Sequence, residues 1–143
     1  MLSPEILEFA NRNPACWLAT CDGEQPHVRG LLLWFADARG FHFHTASTKS
    51  LPGQLRRNPR VEIAFFEATP DGGGRMMRVT GRARFLDAAN HRDRLIAARP
   101  WVADLERALP DCELVVFVVD EGEVHHWNMA VNGREAAQPR VRF

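Results

Sequence analysis

Arg29 stands within an apolar stretch, Pro26 to Phe35, and shares a strand face with His27, Leu31, Leu33 and Phe35. A guanidinium among aliphatic side chains is costly to bury alone, and an anion would satisfy it. A second cluster follows. His44-Thr45-Ala46-Ser47-Thr48-Lys49 puts three hydroxyls and a cation between the end of one apolar stretch and the start of a helical one. Hydroxyls, backbone N–H groups and a helix N-terminus together make a phosphate site, and lysine adds a point charge. Lys49 is the only lysine among 18 basic residues. Arg78 or Arg82, further along, could bring more positive charge to the same anion. No GxxxxGK[ST] pattern is present, so a nucleotide P-loop is excluded. Gly72-Gly73-Gly74 lacks the flanking lysine and hydroxyl and reads as a hairpin tip.

The elements that must position these residues follow from pattern. Ser3-Pro4-Glu5 starts a helix carrying Ile6, Phe9 and Ala10 at helical spacing, and Asn13-Pro14 ends it. Ala15 to Cys21, Pro26 to Ala36 and Phe41 to Ala46 read as strands, joined by turns at Asp22-Gly23 and Asp37 to Gly40; short turns predict an antiparallel meander. A loop and short helix span Ser47 to Asn58. Val61 to Ala68 is a fourth strand and Arg75 to Asp87 a long fifth. The fifth sets Met77, Val79, Ala83 and Phe85 on one face and Met76, Arg78, Thr80, Arg82 and Arg84 on the other. Gly81 marks a bend or a close backbone approach. Asp87 caps a helix to Ala98, Pro100 starts another to about Leu109, and two strands, Glu113 to Val119 and Glu123 to Met129, flank a turn at Glu121-Gly122. The tail, Val131 to Phe143, shows no period. No linker or repeat interrupts residues 1–143, which predicts one domain, mainly β, closed as a barrel with a few helices.

These motifs carry a resemblance. His27-Val28-Arg29-Gly30-Leu31-Leu32-Leu33, Phe41-His42-Phe43-His44-Thr45, Ser47-Thr48-Lys49, Gln54-Leu55-Arg56-Arg57-Asn58-Pro59-Arg60-Val61 and Met77-Arg78-Val79-Thr80-Gly81-Arg82-Ala83 resemble, in order and spacing, the pyridoxamine 5′-phosphate oxidase-like family of FMN-binding split barrels. The resemblance implies a six-stranded antiparallel split barrel, a homodimer, and FMN at the subunit interface. It implies that Arg29 and Lys49 meet the phosphate and that the backbone of Gly30, Leu31 and Leu32 runs along the isoalloxazine edge. Thr45, Ser47 and Thr48 would add hydrogen bonds, with His44 near the flavin. Gln54, Met77 and Arg78 would reach the ring or ribityl chain, some from the partner subunit, and Trp127 would lie against the flavin.

One departure bears on the substrate. The family's oxidases hold substrate with an Arg-x-His motif near the C-terminus, and here the matching stretch is Glu123-Val124-His125. A glutamate would repel a substrate phosphate, so the expectation is an FMN-dependent oxidoreductase of a small molecule other than a vitamin B6 phosphate. A flavin- or haem-binding protein without turnover, or a reductase using the deazaflavin F420, is the alternative. His42 and His44 share a face but have no carboxylate partner in sequence, and no metal is expected.

Bulk properties agree with a small-molecule protein. The chain of 143 residues has zero formal net charge and pI near 7.0, which gives no general pull toward nucleic acid or membrane. Three cysteines with no CxxC pair imply neither a disulfide framework nor a zinc site. Glu5 and Glu8 stand where a secretory leader needs basic and then apolar residues, and no apolar run approaches the roughly 20 residues of a membrane span. The expected location is cytoplasmic.

Overall fold

The computed structural model describes residues 1–143. Ser3 caps the first helix, α1 (Pro4–Arg12), by accepting the Ile6 N–H, and Pro4 fills the first helical position, where no N–H is needed. Ile6, Phe9 and Ala10 are buried on one face. Asn11 leaves the opposite side and grips Ala36 twice, donating to its carbonyl at 2.9 Å and accepting its N–H at 2.8 Å.

Eight strands form one antiparallel sheet: β1 (Ala15–Asp22), β2 (Gln25–Leu32), β3 (Phe35–Asp37), β4 (Gly40–Ala46), β5 (Arg60–Glu67), β6 (Arg75–Leu86), β7 (Leu114–Asn128) and β8 (Arg140–Arg142). The ladder runs β2-β1-β5-β6-β7-β4-β3, with β8 added to β7. Six strands were expected. One addition is a split: the stretch Pro26 to Ala36 breaks at Leu33-Trp34. The Leu33 N–H bonds the Pro14 carbonyl, just before β1, and the next N–H, of Trp34, bonds the His42 carbonyl on β4. A single bent stretch thus joins the two ends of the ladder and closes a split barrel. It also replaces the expected meander, because β2 pairs with β1 alone, whereas β4 pairs with β3 and β7. Serving both ends of the sheet in turn leaves fewer edge groups unpaired than a flat three-stranded ribbon would.

The two strands expected after Glu113 and from Glu123 are one, β7, with no turn between them. Here β6 and β7 pass too closely for side chains. A Cβ on Gly122 would lie 1.9 Å from the Thr80 carbonyl oxygen, and one on Gly81 would lie 2.5 Å from that of Glu121. The register slips between Gly81 and Ala83, so the pair bends at a bulge. The tail forms two 3-10 turns, Met129–Val131 and Glu135–Ala137, before β8 returns to β7.

Alternation sorts the rest. Leu18, Phe41, Phe43, Ile63, Phe65, Met77, Val79 and Phe117 fill the barrel with no exposure. Helix α2 (Ser50–Arg57) closes one end with Leu51 and Leu55. Helices α3 (Ala89–Ala98) and α4 (Trp101–Ala108) stand between β6 and β7, and Asp87 receives the Ala89 N–H at the start of α3. No helix is long and apolar enough to cross a membrane.

Candidate functional site

Past the Trp34–His42 bond, β2 and β4 part, and the gap is a cavity of about 450 Å³. Gly30, Leu31 and Leu32 line one margin, His44, Thr45 and Ala46 the other, and Lys49 lies at the entry to α2. Trp101, Val102 and Leu105 of α4 form the outer wall. The volume falls within the range of small-molecule sites, roughly 300–1,000 Å³. Because β2 is an edge strand, alternate N–H and C=O groups along this margin have no ladder partner. The Thr45 hydroxyl is buried in the cavity wall and has no hydrogen-bond partner. Buried hydroxyls are rarely left so. A wider depression of about 770 Å³ lies elsewhere, but its Arg82 and Arg142 are already paired with Glu121 and Glu123.

Two cations of the cavity wall are free of carboxylates. Lys49 and Arg99 line it and form no ion pair, a condition shared by Arg29, Arg56, Arg60, Arg94 and Arg134, whereas Arg12, Arg57, Arg75, Arg78, Arg84 and Arg92 each hold a carboxylate. Arg29 reaches inward, donating to the Thr20 hydroxyl at 2.9 Å and the Gln54 side-chain oxygen at 2.5 Å. Gln54 is itself buried on α2 and also accepts from Thr20. The expected meander would set Arg29 and the Thr45–Lys49 loop side by side. They are instead linked through α2, which Lys49 begins and Gln54 ties to Arg29.

Arg99 is a residue that sequence reasoning missed. Pro100 disfavours helical backbone at Arg99, so α3 ends there and the side chain leaves the helix line. Its guanidinium donates to the carbonyls of Leu32 and Leu33 and to His44 Nε2, the last at 2.6 Å. Burial, Arg99 and Lys49 together push the His44 imidazole down to about 4. It is therefore neutral near pH 7, accepting at Nε2 and carrying its proton on Nδ1. The Trp101 ring lies beside it, centroids 5.6 Å apart. The sequence signal for Arg99 was only a cation before a proline, which does not say where the side chain points.

Arg29 and Gln54 do not line the cavity, and the remaining expected residues also lie apart from it. The Ser47 hydroxyl accepts the Glu113 N–H and Thr48 contacts Cys112, so both secure the start of β7. Met77 points into the barrel core, because its strand alternates and its neighbour Arg78 takes the outer face. Arg78 is held by Glu62, Glu135 and His125. Trp127 pairs across the ladder with Met76 on the same outer face. The cavity opens onto that face beside Trp17 and Leu32, which are 51% and 50% exposed. Glu123, standing where the oxidase motif has arginine, binds Arg142 and Arg140 and so holds β8 in place. Cys16, in the cavity wall, has its thiol pushed up to about 12 by burial and is inert as a nucleophile. No three His, Cys, Asp or Glu side chains converge as a metal would require.

Comparison with known proteins agrees with this architecture. The family described as pyridoxamine 5′-phosphate oxidase matches residues 2–126. The pyridoxine/pyridoxamine 5′-phosphate oxidase of Pseudomonas putida (strain GB-1) is 39% identical over 75 residues, covering 52% of this chain and 34% of that protein. The enzyme of the same name from Pseudomonas paraeruginosa is 32% identical over 105 residues, covering 68% and 47%. The chain thus spans about a third to a half of the curated relatives it matches. Among solved structures, a NimC/NimA family protein from Clostridium acetobutylicum superposes with a TM-score of 0.76 at 22% identity, over 97% of this chain and 91% of that one. A FAD-binding protein from Mesorhizobium loti gives 0.65 at 23%, over 87% and 94%, and the haem storage protein of Vibrio cholerae 0.66 at 19%, over 89% and 94%. The chain belongs to the pyridoxamine 5′-phosphate oxidase family.

Proposed function

We propose that this chain binds FMN in the cavity between β2 and β4 and is an FMN-dependent oxidoreductase of a small molecule. The observation that carries this is the convergence on one cavity of cations without carboxylate partners and a buried hydroxyl without any partner. Lys49 would hold the phosphate at the start of α2, with Arg29 adding charge from below and Gln54 keeping it in place. Thr45 would donate its free hydroxyl hydrogen. The open edge of Gly30 to Leu32 would accept and donate to the flavin rim, and Gly30 has no atom within 4 Å of where a Cβ would stand, so the ring can lie against its backbone. Trp101, Val102 and Leu105 would exclude water. When bound, the flavin supplies the electron chemistry, while the protein binds, orients and tunes it.

Two further assignments belong to the same reading. The functional unit is a homodimer joined through the outer sheet face, where Trp17, Val28, Leu32, Phe66, Met76 and Trp127 leave apolar surface beside the cavity mouth. A second copy there would cover the cavity and bring Arg78 and Trp127 within reach of a neighbouring flavin. The substrate is not a vitamin B6 phosphate, because Glu123 is negative and committed to β8. Flavin is favoured over haem because Arg99 occupies His44 Nε2, the ring nitrogen an iron would use.

The test is to incubate purified protein with FMN, remove free ligand by gel filtration and record the visible spectrum. Retained flavin absorbance is expected, and its absence removes the cofactor reading. Stopped-flow mixing with NADH and with NADPH then separates turnover from storage. Rapid bleaching supports the oxidoreductase, and no bleaching with either supports a carrier.

A further inference from the structure

The connection between α3 and α4 lies outside the motifs that mark the cofactor grip, yet it sends Arg99 into the cavity. Arg99 is half-buried, forms no ion pair, and donates to the carbonyls of Leu32 and Leu33 and to His44. The cavity-lining acids do not neutralise it: Glu106 is held by Arg92, and Glu113 pairs with no cation. Arg99 is therefore fixed by the Leu32 and Leu33 carbonyls against the strand margin along which the flavin rim would lie.

Reduction of a flavin by two electrons and one proton leaves a negative charge shared between N1 and the C2 oxygen, whereas the oxidised ring is neutral. A fixed cation at that end stabilises the reduced form more than the oxidised one. We propose that Arg99 is a tuning residue for the bound flavin, a positive charge held at the Leu32–Leu33 margin of the cavity that favours the reduced, anionic ring. The inference rests on the FMN reading of this cavity. The bonds to Leu32, Leu33 and His44 fix the guanidinium before any ligand arrives, so little reorganisation is needed to stabilise the charge. His44 cannot supply this charge near neutral pH, because its neutral imidazole only accepts from Arg99.

The experiment compares wild type, Arg99→Gln and Arg99→Lys, each loaded with FMN. Two readouts need no turnover: the midpoint potential of the bound flavin, by dye-coupled reductive titration, and the affinity for sulfite. Sulfite adds its lone pair to N5 of the oxidised ring and leaves the same negative charge at N1 and the C2 oxygen. Arg99→Gln is expected to lower the potential by about 30 mV or more, a tenfold change for a two-electron couple, and to weaken sulfite binding by a similar factor. Arg99→Lys is expected to restore most of both. A potential and sulfite affinity unchanged in Arg99→Gln would overturn the inference while leaving the cofactor reading intact. So would a loss that appears only as weaker FMN than riboflavin binding, which would make Arg99 a phosphate residue. A wild-type protein that binds no flavin would overturn both readings together.

Discussion

The Arg29 guanidinium lies 2.5 Å from the Gln54 side-chain oxygen, which also accepts from the Thr20 hydroxyl at 2.8 Å. A strand, a helix and a second strand are thereby joined at one buried oxygen. Burial lowers the Arg29 pKa, as desolvation of a cation must. Replacing Gln54 by leucine keeps the volume and removes the acceptor from both donors. We predict a loss of about 1–3 kcal/mol in stability by urea unfolding, the range for stranding a hydrogen-bonded buried group. An unchanged midpoint would mean that Arg29 finds water instead.

Lys49 has no protein partner to lose. Lys49→Ala should leave stability unchanged and weaken FMN binding by about 1–3 kcal/mol, roughly 5- to 150-fold, the range for a charge-assisted hydrogen bond. Riboflavin, which lacks the phosphate, should bind wild type and variant alike. Flavin fluorescence titration reads both, and equal FMN affinities would move the phosphate site elsewhere.

His44 makes the fold sensitive to acid. Its pKa falls from 6.5 to about 4 on folding, so between these values the unfolded chain holds the proton and the folded chain does not. Stability therefore rises with pH through that window and is lost as pH falls from about 6.5 toward 4. His42 and His126, also lowered by burial, act in the same direction. NMR titration should find the His44 ring neutral at pH 6, and a ring half-protonated near 6.5 would contradict the packing of Arg99 against it.

Two glycines should respond oppositely to alanine. Gly122 has the Thr80 carbonyl oxygen where a Cβ would stand, so Gly122→Ala must push β6 and β7 apart, at a cost above about 2 kcal/mol. Gly53 lies inside α2, and its Cβ would meet only the end of Arg57, at 3.5 Å. Gly53→Ala should stabilise by about 0.5–1 kcal/mol through helix propensity and a less free unfolded chain. Thermal melts of both variants check the contrast.

Much of this was legible because local rules act locally. Ser3-Pro4, the alternation of β6, and Gly81 each carry their meaning within a few residues, and each stands as read. The unread parts depend on tertiary choices. Nothing in Leu33-Trp34 announces that one N–H turns toward Pro14 and the next toward His42, since closure of a barrel is decided by its distant edges. Glu121-Gly122 has turn composition, yet Gly81 facing it makes a bulge more favourable than a reversal. Arg99 was hidden for a related reason: Pro100 ends α3, but the direction of the freed side chain is set by where α4 packs. Ser47 and Thr48 had the right chemistry for the cavity and were taken up instead by the start of β7.

The outer sheet face offers a separate test of assembly. Trp17 is 51% exposed beside the cavity mouth. Trp17→Glu should convert a sedimenting dimer into a 16.2 kDa monomer and weaken flavin retention with it. A wild-type monomer that holds flavin would contradict the interface assignment.

The most direct measurement is calorimetric titration of FMN into purified wild-type protein, with riboflavin titrated in parallel. The account predicts one FMN per chain, bound more tightly than riboflavin because Lys49 and Arg29 reward the phosphate. No heat and no retained flavin with FMN, or equal affinity for the two ligands, would contradict it.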